Sequence, residues 1–291
     1  MTDMNYIAVD WGSTHLRAWH IENGVPINVL HLPFGVTRLE DATPEQIFER
    51  YINPWRSERL LPVYMAGMVG SDAGWKAAPY LRCPLKLNTL ADSLTAVLPG
   101  VWIVPGLRFQ TDDMCNVMRG EETLLLGVQH LSHASCVILP GTHSKWALTE
   151  SGEVRRFDTA MTGELHHMLM HYSLLGRGLM AQEDSEVAFL SGLHRGMAQP
   201  ALVETLFSVR ASRLLGELAP EAVSEYLSGL LIGAETAVFT QRYRPARVAL
   251  VADGPLKPRY RQALAVAGVE AETIAPELAF LTGIRSIHER Q

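Results

Sequence analysis

Two short stretches combine glycine, hydroxyl and charged residues as phosphate binding requires: Asp10-Trp11-Gly12-Ser13-Thr14, and Gly141-Thr142-His143-Ser144-Lys145 in mid-chain. Glycine lets the backbone approach a ligand closely, Ser and Thr add hydroxyl donors, and successive amides form a concavity for anions. The expected phosphate contacts are Gly12, Ser13 and Thr14 in the first stretch and Gly141, Thr142 and His143 in the second. Asp10 suits Mg²⁺ held through water, because that ion keeps most of its hydration shell. Lys145 would add positive charge near a group in transfer. One such turn is a common surface feature. Its duplication in one chain is what points to chemistry.

Phosphoryl transfer also needs a group that takes the proton of the acceptor hydroxyl. Gln110-Thr111-Asp112-Asp113 precedes a helix expected over Met114 to Leu131, and Asp113 at its start is the candidate base. An aspartate there also serves simply as an N-cap, and Asp112 and Glu121 remain alternatives. Arg119, Glu121 and Glu122 form a polar cluster that either orders substrate hydroxyls or faces solvent. Beyond a strand ending at Met65, the segment Ala66 to Trp75 holds Gly67, Met68, Gly70, Gly74 and Trp75, a composition suited to a loop over a small ligand. Arg38, in the turn-like Gly35-Val36-Thr37-Arg38, and Lys76, beside Trp75, are candidate cations. Thr162, Gly163 and Glu164 open a helix whose donors suit a ligand. His166, His167 and His171 lack the glutamate of a zinc-protease helix, so a packed or substrate-adjacent histidine cluster is expected rather than a metal site.

The elements that must position these residues repeat. Tyr6 to Val9 reads as a buried strand, Leu16 to Ile21 as its return, and Asn23-Gly24 as a hairpin turn before Val25 to Leu32. Cys136 to Leu139, Lys145 to Leu148, Ser151-Gly152 and Val154 to Phe157 repeat that layout. Helical material follows each copy, at Pro44 to Tyr51 and at Glu164 to Leu175. Further strands are expected at Leu61 to Met65, Trp102 to Val104 and Val248 to Val251. Further helices are expected at Pro220 to Phe239, Lys257 to Ala267 and Pro276 to Glu289. The reading is an α/β chain with lobes 1–132 and 133–291, divided near Ser132-His133-Ala134-Ser135.

Composition bounds the function class. The 291 residues are 47% hydrophobic and 19% charged, ordinary for a folded protein of two lobes. A formal net charge of -6 argues against a general nucleic-acid binder. No apolar run is long enough for a spanning helix, and the N-terminus has no export pattern, so a cytoplasmic protein without a membrane partner is expected. Cys83, Cys115 and Cys136 fit neither a disulfide framework nor a zinc site. Homo-oligomerisation is left open.

The duplicated hairpins resemble the actin-like ATPase superfamily, which includes sugar kinases and Hsp70 chaperones. That resemblance implies two ribonuclease-H-like lobes with an ATP cleft between them, Asp10 to Thr14 as the phosphate-1 hairpin and Gly141 to Lys145 as the phosphate-2 hairpin. Val248 to Leu256 looks like the adenosine motif, although the usual adjacent glycines are Ala252-Asp253-Gly254 here, which leaves Gly254 as the candidate contact. Asp113 also stands seven residues before Gly120-Glu121, similar to the catalytic aspartate of glucokinase-like members. Met65 to Tyr80, Asn116 to Thr123, Pro140 to Trp146, Met161 to His167 and Ser228 to Glu235 resemble more narrowly the 2-dehydro-3-deoxygalactonokinase family. By that resemblance ATP and Mg²⁺ are the cofactors and a sugar acid is phosphorylated at O6. Arg38, Gly67, Met68, Trp75, Arg119, Glu121 and Thr162 are the candidate substrate contacts.

Overall fold

The computed structural model describes residues 4–56 and 60–291. Contacts group the chain into two units. The chain leaves the first after His133 and returns to it twice, for Thr149–Phe157 and for Ala275–Gln291; Ala134–Leu148 and Asp158–Ile274 form the second.

In the first unit, apolar runs build β1 (Tyr6–Trp11), β2 (Leu16–Glu22) and β3 (Val25–Leu32). Asn23 and Gly24 adopt φ of 51° and 79° between β2 and β3, the left-handed pair that a two-residue hairpin turn requires. Helix α1 (Pro44–Tyr51) opens on a capping box: the Thr43 hydroxyl accepts from the Gln46 N–H, and the Gln46 side chain accepts from the Thr43 N–H. Strands β4 (Val63–Ala66), β5 (Tyr80–Arg82), β6 (Leu85–Lys86), β7 (Thr95–Leu98), β8 (Val101–Ile103), β9 (Gly106–Gln110) and β10 (Cys115–Met118) follow, then helix α2 (Glu121–Leu131). The main sheet runs β3-β2-β1-β4-β8-β7, with β1, β4 and β8 parallel. An antiparallel meander continued by parallel strands is the ribonuclease-H-like arrangement. Ile7, Val9, Trp11, Phe48, Met65 and Ile103 are buried in its core, so the ends of β1 and β4 are held rigidly where the glycine segments begin.

A second six-stranded sheet repeats the plan. Strands β11 (Cys136–Leu139), β12 (Ser144–Glu150) and β13 (Glu153–Ala160) form the meander, and Ser151 and Gly152 turn with φ of 50° and 78°, almost the angles of Asn23 and Gly24. Helices α3 (Thr162–Tyr172), α4 (Glu186–Ala198), α5 (Leu202–Leu214) and α6 (Val223–Tyr243) come next, then β14 (Arg247–Val251), α7 (Leu256–Val266) and β15 (Glu270–Ile274). The sheet order is β15-β14-β11-β12-β13-β6, with β11, β14 and β15 parallel. Cys136, Ile138, Trp146, Phe239, Leu250 and Tyr260 pack beneath it. The last helix, α8 (Pro276–His288), belongs to the first unit and packs on α2.

The helix expected over Met114 to Leu131 is corrected. Cys115–Met118 is a strand paired antiparallel with Leu107–Gln110, and only from Glu121 is the chain helical. Gly120, at φ 109°, breaks any continuous helix there. Helices α4 and α5 were not anticipated. Among the described residues, no helix is long and apolar enough to cross a membrane.

Candidate active site

Each unit carries one of the two glycine-hydroxyl tips. In the first, Asp10 ends the core of β1 and faces Arg17 across the hairpin, as their strand register dictates. The Arg17 Nη2 lies 2.5 Å from the Asp10 Oδ2. Asp10, Gly12 and Thr14 line a cavity of about 530 Å³ with His15, Arg17 and His31. The Thr14 hydroxyl is bonded to the His15 Nδ1 at 2.9 Å. Ser13 is exposed at the tip, and its carbonyl accepts from both the N–H and the hydroxyl of Thr37. Arg38 follows directly, exposed, in a turn closed by its N–H on the Gly35 carbonyl.

The segment after β4 is fitted against this tip. Gly67 has φ 101°, and a methyl group on it would come within 2.7 Å of the Trp11 carbonyl oxygen. Gly120 abuts Gly67 in turn, at 3.2 Å from an added methyl to the Gly67 Cα. Three chain segments therefore converge where β1 ends, and only glycine backbone permits the approach. Met68 is half-buried against the core, and the Trp75 ring packs at a tilt on Phe48, with ring centres 5.0 Å apart, so Trp75 anchors the loop by packing. The Lys76 ammonium donates to the Ala96 carbonyl. Arg119 is buried: its Nη2 donates to the Ala78 carbonyl at 2.7 Å, and its guanidinium lies 4.1 Å from the centre of the Tyr80 ring. Its Nη1 is buried without a hydrogen-bond partner. Glu121 begins α2, with its Oε2 accepting from the Arg119 N–H.

Asp113 does not cap that helix. It sits exposed in the turn between β9 and β10, closed by the Thr111 N–H on the Met114 carbonyl, with Asp112 beside it. The capping role weighed for it therefore lapses, and a strand separates it from the Gly120 junction.

Glu122 is fully buried, and both its oxygens accept from the Gly120 N–H, at 2.9 and 2.8 Å. Burial, helped by the charge of Glu121, pushes its pKa up to about 8 from the ordinary 4.5. Because the folded value is raised, the folded state binds the extra proton, so this contribution to stability is complete below pH 4.5 and is lost as pH rises through about 8. The melting temperature of the parent should therefore fall more steeply between these limits than that of Glu122→Gln. Parallel profiles would mean that Glu122 is not proton-linked to folding.

In the second unit the tip Gly141 to His143 leads into buried Ser144 and Lys145. The Lys145 ammonium donates to the His143 carbonyl at 3.0 Å, which places its charge at the tip. The His143 ring is bonded to Glu164 at 2.6 Å. The start of α3 touches the tip: the Glu164 N–H donates to the Thr142 carbonyl, and a methyl on Gly163 would reach within 2.6 Å of the Gly141 oxygen. Gly141, Thr142 and Thr162 line a cavity of about 400 Å³ with Ser228, Arg259 and Tyr260. Thr162, expected at the acceptor, thus shares a wall with the phosphate-2 tip. Gly254 is exposed in the turn before α7, at φ 49°, and it is α7 that brings Arg259 and Tyr260 to the cavity. His166 also lines it, its Nε2 at 3.1 Å from the Ser224 carbonyl, and burial lowers its pKa. The rings of His167 and His171 are 4.5 Å apart.

Sequence reasoning missed Glu235. It lies in the middle of α6, and its carboxylate accepts from the Trp146 Nε1 at 2.7 Å, from the Tyr260 hydroxyl at 2.8 Å and from the Thr162 hydroxyl. The Tyr260 hydroxyl is also bonded to Ser144 at 2.7 Å. Burial raises the Glu235 pKa, opposed by these donors. A glutamate directly after the apolar run Leu230 to Ala234 was the available signal.

The profile of the 2-keto-3-deoxy-galactonokinase family matches residues 10–287. The chain belongs to this family. A 2-dehydro-3-deoxygalactonokinase of Escherichia coli is 47% identical, over 97% of this chain and 97% of its own. A solved Sinorhizobium meliloti protein assigned the same activity is 32% identical and superposes with a TM-score of 0.87, over 98% of this chain and 96% of that one. The activator of 2-hydroxyisocaproyl-CoA dehydratase from Clostridium difficile, at 13% identity, shares the fold alone, with a TM-score of 0.51 over 99% of this chain and 95% of that one. As a member of the 2-keto-3-deoxy-galactonokinase family the chain is a kinase, on the actin-like ATPase fold that its two meander sheets display.

Proposed function

We propose that this chain transfers the γ-phosphate of ATP to the terminal O6 hydroxyl of 2-dehydro-3-deoxy-D-galactonate, in the cytoplasm. The observation that carries the substrate is the 47% identity, across 97% of both chains, to a relative named 2-dehydro-3-deoxygalactonokinase. Gly12, Ser13 and Thr14, with Gly141, Thr142 and His143, are assigned to phosphate oxygens, and Lys145 to the charge of the transferring group. Gly254 is assigned to the adenosine side.

A Mg²⁺ ion fits the first tip by donor chemistry: a carboxylate and a hydroxyl line one cavity, and Mg²⁺ takes one or two carboxylates with water and phosphate oxygens. No group of three or more acidic, His or Cys side chains among the described residues forms a protein cage for a metal, which suits an ion held mainly by its nucleotide. Asp10 is the residue assigned to hold it, and the ion would supply neutralisation of phosphate charge.

Acceptor contacts are assigned to Gly67, Met68, Arg119 and Glu121 around the end of β1, with Arg38 on the adjoining turn. Trp75 supports them by fixing the loop, and Thr162, on the second unit's cavity wall beside the phosphate-2 tip, is assigned to the nucleotide side. A sugar acid needs a cation for its carboxylate, and the buried, unpartnered Nη1 of Arg119 favours that residue. The base is assigned to Asp113 by its spacing to Gly120-Glu121. The convergence of Gly120 on Gly67 favours Glu121 as the second reading.

ADP release should be measured with ATP and a panel of acceptors: 2-keto-3-deoxy acids, the corresponding aldonic acids, and neutral hexoses. The proposal expects turnover with the first group, at a kcat/KM at least about 10²-fold above the others, since a site with buried polar groups strongly rejects ligands that leave them unpaired. Preference for a hexose would replace the substrate. ADP release independent of any acceptor would make the chain an ATPase clamp.

A further inference from the structure

We propose that Glu235 is a positioning residue of the nucleotide site, holding the phosphate-2 tip, the start of α3 and helix α7 in one arrangement around the cavity of the second unit. The proposal rests on the reading that this cavity and tip serve ATP.

The cavity is walled by three pieces of chain far apart in sequence: Gly141 and Thr142 of the tip, Thr162 and Gly163 of α3, and Arg259 and Tyr260 of α7. Each is tied to one carboxylate. Thr162 and Tyr260 donate to the Glu235 Oε2, and the Tyr260 hydroxyl joins Ser144, the residue that closes the tip. Trp146, two residues along β12, donates to the Glu235 Oε1. Glu235 itself is not a lining residue, so it acts through others.

The donors have no substitute acceptor of equal capacity. An ionised carboxylate accepts several hydrogen bonds at once, whereas an amide offers one oxygen and presents two donors of its own. An apolar side chain would leave buried hydroxyls and an indole N–H without their acceptor. Fully satisfied buried networks rigidify what they touch. Here they touch the groups placed to meet phosphate and nucleoside. An anionic residue inside an apolar core is costly for stability alone, and its placement behind a ligand cavity gives that cost a use.

The test is calorimetric binding of a non-hydrolysable ATP analogue with Mg²⁺, together with KM for ATP and for the sugar acid, in the parent, Glu235→Gln, Glu235→Leu and Thr162→Val. Analogue affinity and KM for ATP should worsen by about 10- to 100-fold in Glu235→Leu and less in Glu235→Gln, while KM for the sugar acid stays within about threefold. Thr162→Val removes one donor and should worsen ATP affinity by a smaller factor. The double variant Thr162→Val/Glu235→Gln should lose less than the product of the two single effects. If Glu235→Leu does not fold, Thr162→Val and Glu235→Gln decide. Parental ATP affinity in folded variants, or an equal rise in both KM values, overturns the positioning role. Failure of the parent itself to bind the analogue overturns the functional reading and this proposal with it.

Discussion

Asp10→Ala should keep its fold and lose turnover by about 10²- to 10³-fold, because charge stabilisation by a properly held ion is worth several kcal/mol and about 1.4 kcal/mol is tenfold in rate. The stability cost should be small. The Asp10–Arg17 pair is a quarter to a third exposed, and such pairs contribute about 0–1 kcal/mol. The deficit should appear in kcat at saturating Mg²⁺ and be relieved little by raising ATP. Arg17, released from its partner, keeps the cavity cationic, so anion binding there should survive. Full turnover in a folded Asp10→Ala would remove Asp10 from the mechanism.

The second large effect concerns the base. Asp113→Asn should lower turnover by about 10²- to 10⁴-fold, the usual worth of general-base catalysis, with ATP and acceptor affinities near the parent values. The turn it occupies tolerates Asn as readily as Asp, so thermal stability should not change. Glu121→Gln is the necessary companion. Its oxygen already accepts from the Arg119 N–H, and the amide oxygen of Gln can keep that bond, so only the proton-accepting capacity is removed. A collapse in Glu121→Gln with near-parental Asp113→Asn would move the base to the Gly120 junction.

The fold was legible where local signals and tertiary demands agree. Asn23-Gly24 and Ser151-Gly152 each dictate a left-handed turn, and β1 and β11, the strands that open the two meanders, are short buried apolar runs, so both meanders follow from short-range chemistry. The chain between Met114 and Gly120 failed because its apolar spacing mimics a helix, while pairing with β9 and the φ of Gly120 decide the outcome. Gly120 itself was the overlooked sign.

Of the candidate site, the two tips could be placed between paired strands because glycine and hydroxyl residues cluster within a few positions. The Glu235 network could not, since its members Ser144, Trp146, Thr162 and Tyr260 meet only through tertiary packing. Trp75 shows another limit: an aromatic residue in a glycine-rich segment suits a ligand contact by composition, whereas its packing on Phe48 is a tertiary contact that composition does not reveal.

The most direct test of the central claim is ³¹P NMR of the chain incubated with ATP, Mg²⁺ and 2-dehydro-3-deoxy-D-galactonate. The account predicts ADP and, in equal amount, a phosphate monoester whose phosphorus couples to the two protons of a terminal CH₂. Inorganic phosphate in place of the ester, or an ester coupled to a single CH proton, would contradict it.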